Sequence, residues 1–298
     1  MRRIHNIVTK NWILRFAQDD VGVNDCNFKR PLLSGRFLFK LSNLNLLSLL
    51  YNPHMAKKLD TKRTLTLEKI LSNQGFGTRK QCRIMIINEE ITVNGVLCDD
   101  PDAEFNLENL SFTVKNEAWD YREKSYLMLH KPSNYECSHK TQHHPTIYSL
   151  LPHPLVVRDV QCIGRLDEDT TGLILISDDG QFIHRMSSPK HKVPKIYEVT
   201  CKHAVSDEQI AHILKGVQLI DEDAPIAALS CERITENIIH MTLAEGKYHQ
   251  VKRMVAAISN RVEALKRIQI GELKLPDDLK VGEWKWLSEA DMLLLSPK

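Results

Sequence analysis

The sequence predicts an α+β protein built around a mixed sheet. Short strand and helix patterns are interspersed without the regular βαβ alternation of a doubly wound parallel fold. Asn94-Gly95 between apolar alternations marks a tight hairpin. Val251, Met254, Val255 and Ile258 recur at i, i+3, i+4 and i+7, the stripe of an amphipathic helix packed on one side. At 298 residues the chain is long enough for two domains and a substantial core.

Bulk composition narrows the class. The chain is 42% hydrophobic and 26% charged, that of an ordinary soluble globular protein. Its seven cysteines are odd in number and show no C-x-x-C spacing, which argues against a disulfide framework or zinc ribbon and for a reducing cytoplasm. The Leu-rich piece from Pro31 to Tyr51 is broken by Arg36 and Lys40 and is too polar for a membrane span. Arg2 and Arg3 are followed by no apolar run of secretory type. Residues 1–55 hold 8 Lys/Arg against 3 Asp/Glu, and residues 56–298 hold 32 against 35. Any polyanion surface on the globular part must therefore come from local patches. Basic clusters occur at Lys57–Val96, His184–His203 and Gly246–Ile268, each beside a patterned element.

Taken in order, residues 1–55 show no sustained period and read as a disordered extension, or as a segment upstream of a natural start at Met55. Leu67, Ile70 and Leu71 form one face of a short helix that ends at Gly75-Phe76-Gly77. Thr78 and Gln81 make a capping-box pattern opening a second helix with the stripe Cys82, Met85 and Ile86. Arg79, Lys80 and Arg83 lie near that helix start and off the stripe, where free backbone N–H groups and cations favour a phosphate. The hairpin Ile91–Leu97 follows. This unit is expected over residues 56–115, with a polar linker at 116–124 and a second domain at 125–298.

In the second domain a strand is expected at Ser125–Leu129. His139, His143, His144 and His153 read as surface histidines of a loop, since no i, i+4 pair or cysteine partner supports a metal. Leu173 to Ile176 reads as a fully buried strand. Ser177 to Gly180 reads as a turn into a helix bearing Phe182, Ile183 and Met186. Lys195 to Thr200 alternates as a strand, and Ser206–Gln209 is a second capping box opening a helix that stops at Gly216. Further strands are expected at Ile238–Leu243, Glu263–Ile270 and Trp284–Leu287, before a short terminal helix.

Candidate chemistry centres on Cys162–Gly180, where Asp167 and Asp169 lie between Gly164 and Gly172 just before the buried strand. A carboxylate anchored by a buried strand is fixed as a reacting group should be. The residues alone do not choose between the two carboxylates, or between a reactive pair and an acidic turn. Lys252 and Arg253 fall just past the stripe of their helix, able to reach a neighbouring anion.

The motifs "GRLDEDTTGLILISDDG", "KIYEVT" and "EGKYHQVKRM", in this order, resemble the pseudouridine synthases of the RsuA/RluB/RluE/RluF group. The segment "ITVNG" with Arg79-Lys80 upstream resembles the S4 RNA-binding domain over roughly residues 65–110. Together the likeness covers residues 56–295. Within the group it is greatest to the RsuA branch, through "DTTGL", "SPKH" and "GKYHQVKRMVAAISN". The resemblance implies an S4-like helix-helix-hairpin domain followed by a catalytic domain with a mixed, largely antiparallel sheet. It implies isomerisation of a uridine to pseudouridine in 16S rRNA at uridine 516, free or within a partly assembled small subunit, by a monomeric enzyme.

On this likeness Asp167 is the catalytic carboxylate, Tyr197 packs on the base, and Lys252, with Arg253 as contender, keeps the carboxylate ionised. Arg165 fills the gap left by a flipped uridine. Further RNA contacts are expected from Arg79, Lys80, Arg83, Lys190, Lys195, Lys247 and His249. Asp169, Asp178 and Asp179 are expected to serve turns and caps. The chemistry calls for no cofactor and no metal, since nothing is oxidised and no phosphate moves. One departure stands out: His130-Lys131-Pro132-Ser133-Asn134 replaces the group's "NKP-x-G". Asn tolerates positive φ, so the turn can survive. The rival readings are a 23S rRNA target, a non-catalytic S4-type RNA-binding protein, and a two-carboxylate glycoside hydrolase using Asp167 and Asp169.

Overall fold

Three apolar clusters organise the fold: one closes a small part built on a two-stranded and a four-stranded sheet, and two belong to a nine-stranded sheet that carries the Cys162–Gly180 motif on an interior strand. The computed structural model describes residues 63–295. The expected N-terminal extension and the Met55 start lie outside the described residues.

The smaller sheet region comprises β1 (Thr64–Thr66), α1 (Leu67–Asn73), α2 (Arg79–Ile87), β2 (Ile91–Val93), β3 (Val96–Leu97), β4 (Glu104–Asn106), β5 (Ser111–Val114) and β6 (Glu117–Asp120). The capping box holds as expected: Gln81 N–H donates to the Thr78 hydroxyl while the Gln81 side chain accepts from Thr78 N–H. Such a cap contributes about 1 kcal/mol. Asn94 and Gly95 both take positive φ, +49° and +81°, as a two-residue hairpin turn requires. Leu67, Ile70, Leu71, Cys82, Ile86, Ile91 and Phe112 close the core. The polar stretch 116–124, expected to be a linker, instead contains β6, which pairs antiparallel with β5. Trp119 on β6 packs edge-on against Phe76, and this single aromatic supplies the burial that the polar sequence hides.

The larger sheet is formed by β7 (Tyr126–Lys131), β8 (Gln161–Ile163), β9 (Thr171–Ser177), β10 (Lys195–Cys201), β11 (Ser230–Arg233), β12 (Ile238–Leu243), β13 (Val262–Ile270), β14 (Leu273–Lys274) and β15 (Trp284–Trp286). The helices are α3 (His153–Val157), α4 (Gly180–Ser187), α5 (Asp207–Lys215), α6 (Gln250–Ala257) and α7 (Glu289–Leu294). Strand order is β11-β12-β10-β13-β9-β7-β15, with β8 on β9 and β14 on β13. Every pairing is antiparallel except β13 with β9, so the sheet is mixed and largely antiparallel. Leu173, Leu175 and Phe182 pack on one side of this sheet, and Ile174, Ile176, Tyr197 and α6 belong to the core of the other. Each fully buried aliphatic of β9 contributes about 1.5–3 kcal/mol of transfer free energy.

Both parts lie in one compact unit. Their joint is polar and closed by Arg158, whose guanidinium donates to Asp178 Oδ2 (2.8 Å), Gln74 Oε1 (3.1 Å), the Arg122 carbonyl (2.9 Å) and the Glu123 carbonyl (3.1 Å). Asp178 also accepts from Ser125 N–H at 2.7 Å. Gly75 sits against α3 so closely that a Cβ there would meet the Pro154 carbonyl oxygen at 2.0 Å.

Candidate active site

Asp167 belongs to the loop Gly164–Thr170 that joins β8 to β9. The loop leaves the sheet where the edge of β9 passes from β8 to β13: β8 pairs with residues 175–177 of β9, and β13 with Thr171 and Gly172. Gly172 has φ +106°, and a Cβ there would lie 2.3 Å from the Arg267 carbonyl oxygen. Only glycine lets β13 approach here.

Two buried cations hold this loop. Arg267, 1% exposed, donates through Nε to the Leu173 carbonyl (2.8 Å) and through Nη2 to the Gly164 carbonyl (2.9 Å), tying the two ends together. Lys131, fully buried, donates to the carbonyls of Glu168 (2.9 Å), Thr170 (2.8 Å) and Pro132 (3.0 Å). Burial pushes its pKa down, and the three carbonyls satisfy an ammonium that would otherwise be unpaired. Asn134 takes φ +63°, the left-handed conformation that asparagine tolerates, and its N–H donates to the Glu168 carbonyl at 2.7 Å. Sequence reasoning did not single out Arg267 or name a role for Lys131. The signal for Arg267 was a charge two residues after Leu265 on the buried face of a strand.

The loop so held meets the start of α6. Lys252 Nζ lies 3.0 Å from Asp167 Oδ2 and donates to both Asp169 oxygens, at 2.7 and 2.9 Å. Burial opposes the charge on Lys252, but hydrogen bonds to Asp169 and Asp167 outweigh it and raise its pKa. Burial likewise opposes ionisation of Asp169, and the bond from Lys252 prevails and lowers its pKa. Asp169, expected to serve only the turn, thus shares the ammonium. A retaining hydrolase needs one carboxyl kept protonated as general acid, with a raised pKa. The ammonium shared with Asp169 favours its ionised form, which does not suit Asp169 as that acid.

Arg253 does not reach Asp167. It turns to the Tyr248 carbonyl (3.3 Å), Asp221 (3.7 Å) and Glu222 (4.0 Å). Adjacent residues on a helix point about 100° apart, so only one of the pair can face the loop. His249, expected to touch RNA, instead places Nε2 3.4 Å from Asp167 Oδ1. It does so from left-handed backbone, φ +46°, at the N-terminal end of α6.

Tyr197, buried on β10, lines with Asp167 an open cleft of about 770 Å3 that also takes in Arg165, Leu166, Lys247, Tyr248 and His249. Lys195, expected among the RNA contacts, lies in the cleft lining. It is 8% exposed, its ammonium donates to the Val193 carbonyl at 2.9 Å, and burial with Arg267 nearby pushes its pKa down to about 8. It forms cleft wall, not open surface. Lys247 is half-buried and its charge is matched by Glu222. Arg83, expected to meet phosphate, is tied to Glu68 (2.7 Å) and doubly to Asp102 (both 3.0 Å) within the small fold. Arg79, Lys80, Arg165 and Lys190 are exposed, and among the described residues no hydrogen bond or ion pair engages their side chains. Among the described residues no helix is long and apolar enough to cross a membrane.

The family model for RNA pseudouridylate synthases matches residues 125–257. The "Ribosomal small subunit pseudouridine synthase A" of Vibrio parahaemolyticus is 38% identical over 238 residues, 76% of this chain and 98% of the relative. An uncharacterized RNA pseudouridine synthase of Bacillus subtilis is 34% identical, over 78% of this chain and 98% of its own. A crystal structure of a pseudouridylate synthase superposes with a TM-score of 0.56 at 35% identity, covering 78% of this chain and 100% of that one.

Proposed function

The chain belongs to the RNA pseudouridylate synthase family, and from that premise we propose that it converts one uridine of small-subunit ribosomal RNA, uridine 516 of 16S rRNA, to pseudouridine. The observation that supports the residue assignment is the Asp167–Lys252 contact, 3.0 Å, which joins the loop held by Lys131 and Arg267 to the start of α6 in the cleft that Tyr197 also lines. The target rests on relatives named for the small subunit that align over 98% of their length.

The reaction breaks the bond between C1′ and N1, turns the uracil, joins C5 to C1′, and moves a proton from C5 so that N1 ends protonated. Substrate and product are isomers, so no redox partner or phosphate donor is consumed. Asp167 acts on the ribose, through C1′ or the 2′ proton. Lys252 keeps it ionised as water is excluded. Tyr197 packs on the freed base and assists loss of the C5 proton. A uridine inside folded RNA reaches this cleft only by flipping from its stack, and Arg165 at the rim occupies the vacated space. Residues 64–121 act as an S4-like RNA-binding domain, with exposed Arg79 and Lys80 supplying phosphate contacts. On this reading the enzyme works in the cytoplasm as a monomer.

The test is tritium release from 16S and 23S transcripts labelled at uracil C5, followed by mapping of the product. Wild type is expected to release tritium from 16S RNA or its partly assembled particle, and Asp167→Ala to fall at least about 1000-fold, the scale on which loss of a reacting group acts. Release by both proteins alike would refute the role of Asp167; modification of 23S alone would move the target.

A further inference from the structure

We infer that Tyr248 is a stacking platform for an unpaired base beside the target uridine, with His249 as its backing. The inference rests on the reading that the cleft receives a uridine flipped out of RNA. Tyr248 is 77% exposed and is the only exposed Phe, Tyr or Trp among the described residues. The other described Phe, Tyr and Trp rings are buried or half-buried, as their large apolar area favours. This one stands at the cleft that holds Asp167 and Tyr197.

Its placement is enforced. The turn 247–250 is closed by reciprocal bonds: Lys247 N–H donates to the buried Gln250 Oε1 at 2.9 Å, and Gln250 N–H to the Lys247 carbonyl at 3.1 Å. Within the turn His249 adopts φ +46°, a left-handed conformation that costs on the order of 1 kcal/mol in a residue other than glycine. That conformation sends the imidazole to Asp167 and lets Tyr248 stack on it, with ring centroids 3.8 Å apart and planes 19° from parallel. One face of the phenol ring is therefore covered by His249, and the high exposure leaves the other to solvent. The open face lies one ring beyond the group that touches the catalytic carboxylate, within reach of the neighbouring nucleotide.

RNA chemistry supplies the occupant. Flipping a nucleotide strips its neighbour of a stacking partner, and proteins restore the loss with an aromatic face. Stacking is tolerant of base identity, since every base has a π-face. The exposed, unpaired Arg165 lines the same cleft, so the side chain proposed to fill the vacated space and the ring proposed to meet the neighbouring base share one opening.

The experiment uses the full-length protein and an RNA carrying the uridine at which the product maps. Tyr248→Ala is expected to raise KM for that RNA about tenfold with kcat changed less, and Tyr248→Phe to recover most of the loss. Replacing the base on either side of the target in turn by an abasic nucleotide tests the contact itself. At one of the two positions the abasic RNA should weaken wild type about tenfold and Tyr248→Ala hardly at all. Circular dichroism and thermal melting confirm that the variants fold. Equal KM for wild type and Tyr248→Ala, or additive losses at both abasic positions, would overturn the platform. Failure of wild type to release tritium from any ribosomal RNA would instead strike the proposed function.

Discussion

The loop Gly164–Thr170 and the small fold over residues 64–121 both carry many charges, and they use them in opposite ways. Around the loop three cations are buried or half-buried and matched to defined acceptors: Arg267 and Lys131 to backbone carbonyls, Lys252 to two carboxylates. On the small fold Arg79 and Lys80 stand exposed at the start of α2. The first arrangement fixes one atom, Asp167 Oδ2, to a stated place. The second offers charge over an area without demanding an orientation. On the proposed function, chemistry at C1′ needs the former, since misplacement by about 1 Å costs about 100-fold. Retention of a polyanion needs only the latter.

That contrast can be broken or sharpened by four sets of variants. Lys252→Met leaves Asp167 without its counter-ion in a half-buried site, and kcat is expected to drop about 100-fold while KM changes little. An equal rise in KM would mean that Lys252 works as an RNA contact, like the cations of the small fold. The next effect concerns stability. Lys195 has a folded pKa of about 8, below its ordinary value of about 10.5. A depressed lysine pKa penalises the folded state fully below pH 8, and the penalty is relieved as pH rises from about 8 to 10.5. Lys195→Met is therefore expected to stabilise the protein by on the order of 2 kcal/mol at pH 7, with the advantage vanishing near pH 10. Melting temperatures at the two pH values check the sign. The smallest effect is at the surface: Arg79→Gln with Lys80→Gln should raise KM several-fold, leave kcat alone, and reduce the salt slope of RNA binding by about 1–2. Arg83→Gln, by contrast, should cost stability and leave that slope unchanged, because Arg83 is already engaged by Glu68 and Asp102.

Legibility followed the range of the interaction. The capping boxes at Thr78–Gln81 and Ser206–Gln209, the Asn94-Gly95 turn, the buried run of β9 and the stripe of α6 were all readable. Each is settled by residues within a few positions of one another. β6 was missed because one half-buried tryptophan among charged neighbours gives no alternation to read.

Within the site, the sequence by itself determined which segments matter: the carboxylate-bearing loop before a buried strand, the tyrosine strand, and the basic start of an amphipathic helix. Only the tertiary structure decided what each charge does. Lys252 rather than Arg253 meets Asp167, Asp169 shares that ammonium, His249 lies beside Asp167, Lys195 is buried in the cleft wall, and Arg83 is paired with Glu68 and Asp102. Those outcomes depend on pairs 83 and 94 residues apart, such as Lys252 with Asp169 and Arg267 with Leu173, brought together by the β9–β13 register. A charge has no periodicity that names its partner. Its role is set by distance and burial, and both are properties of the folded sheet.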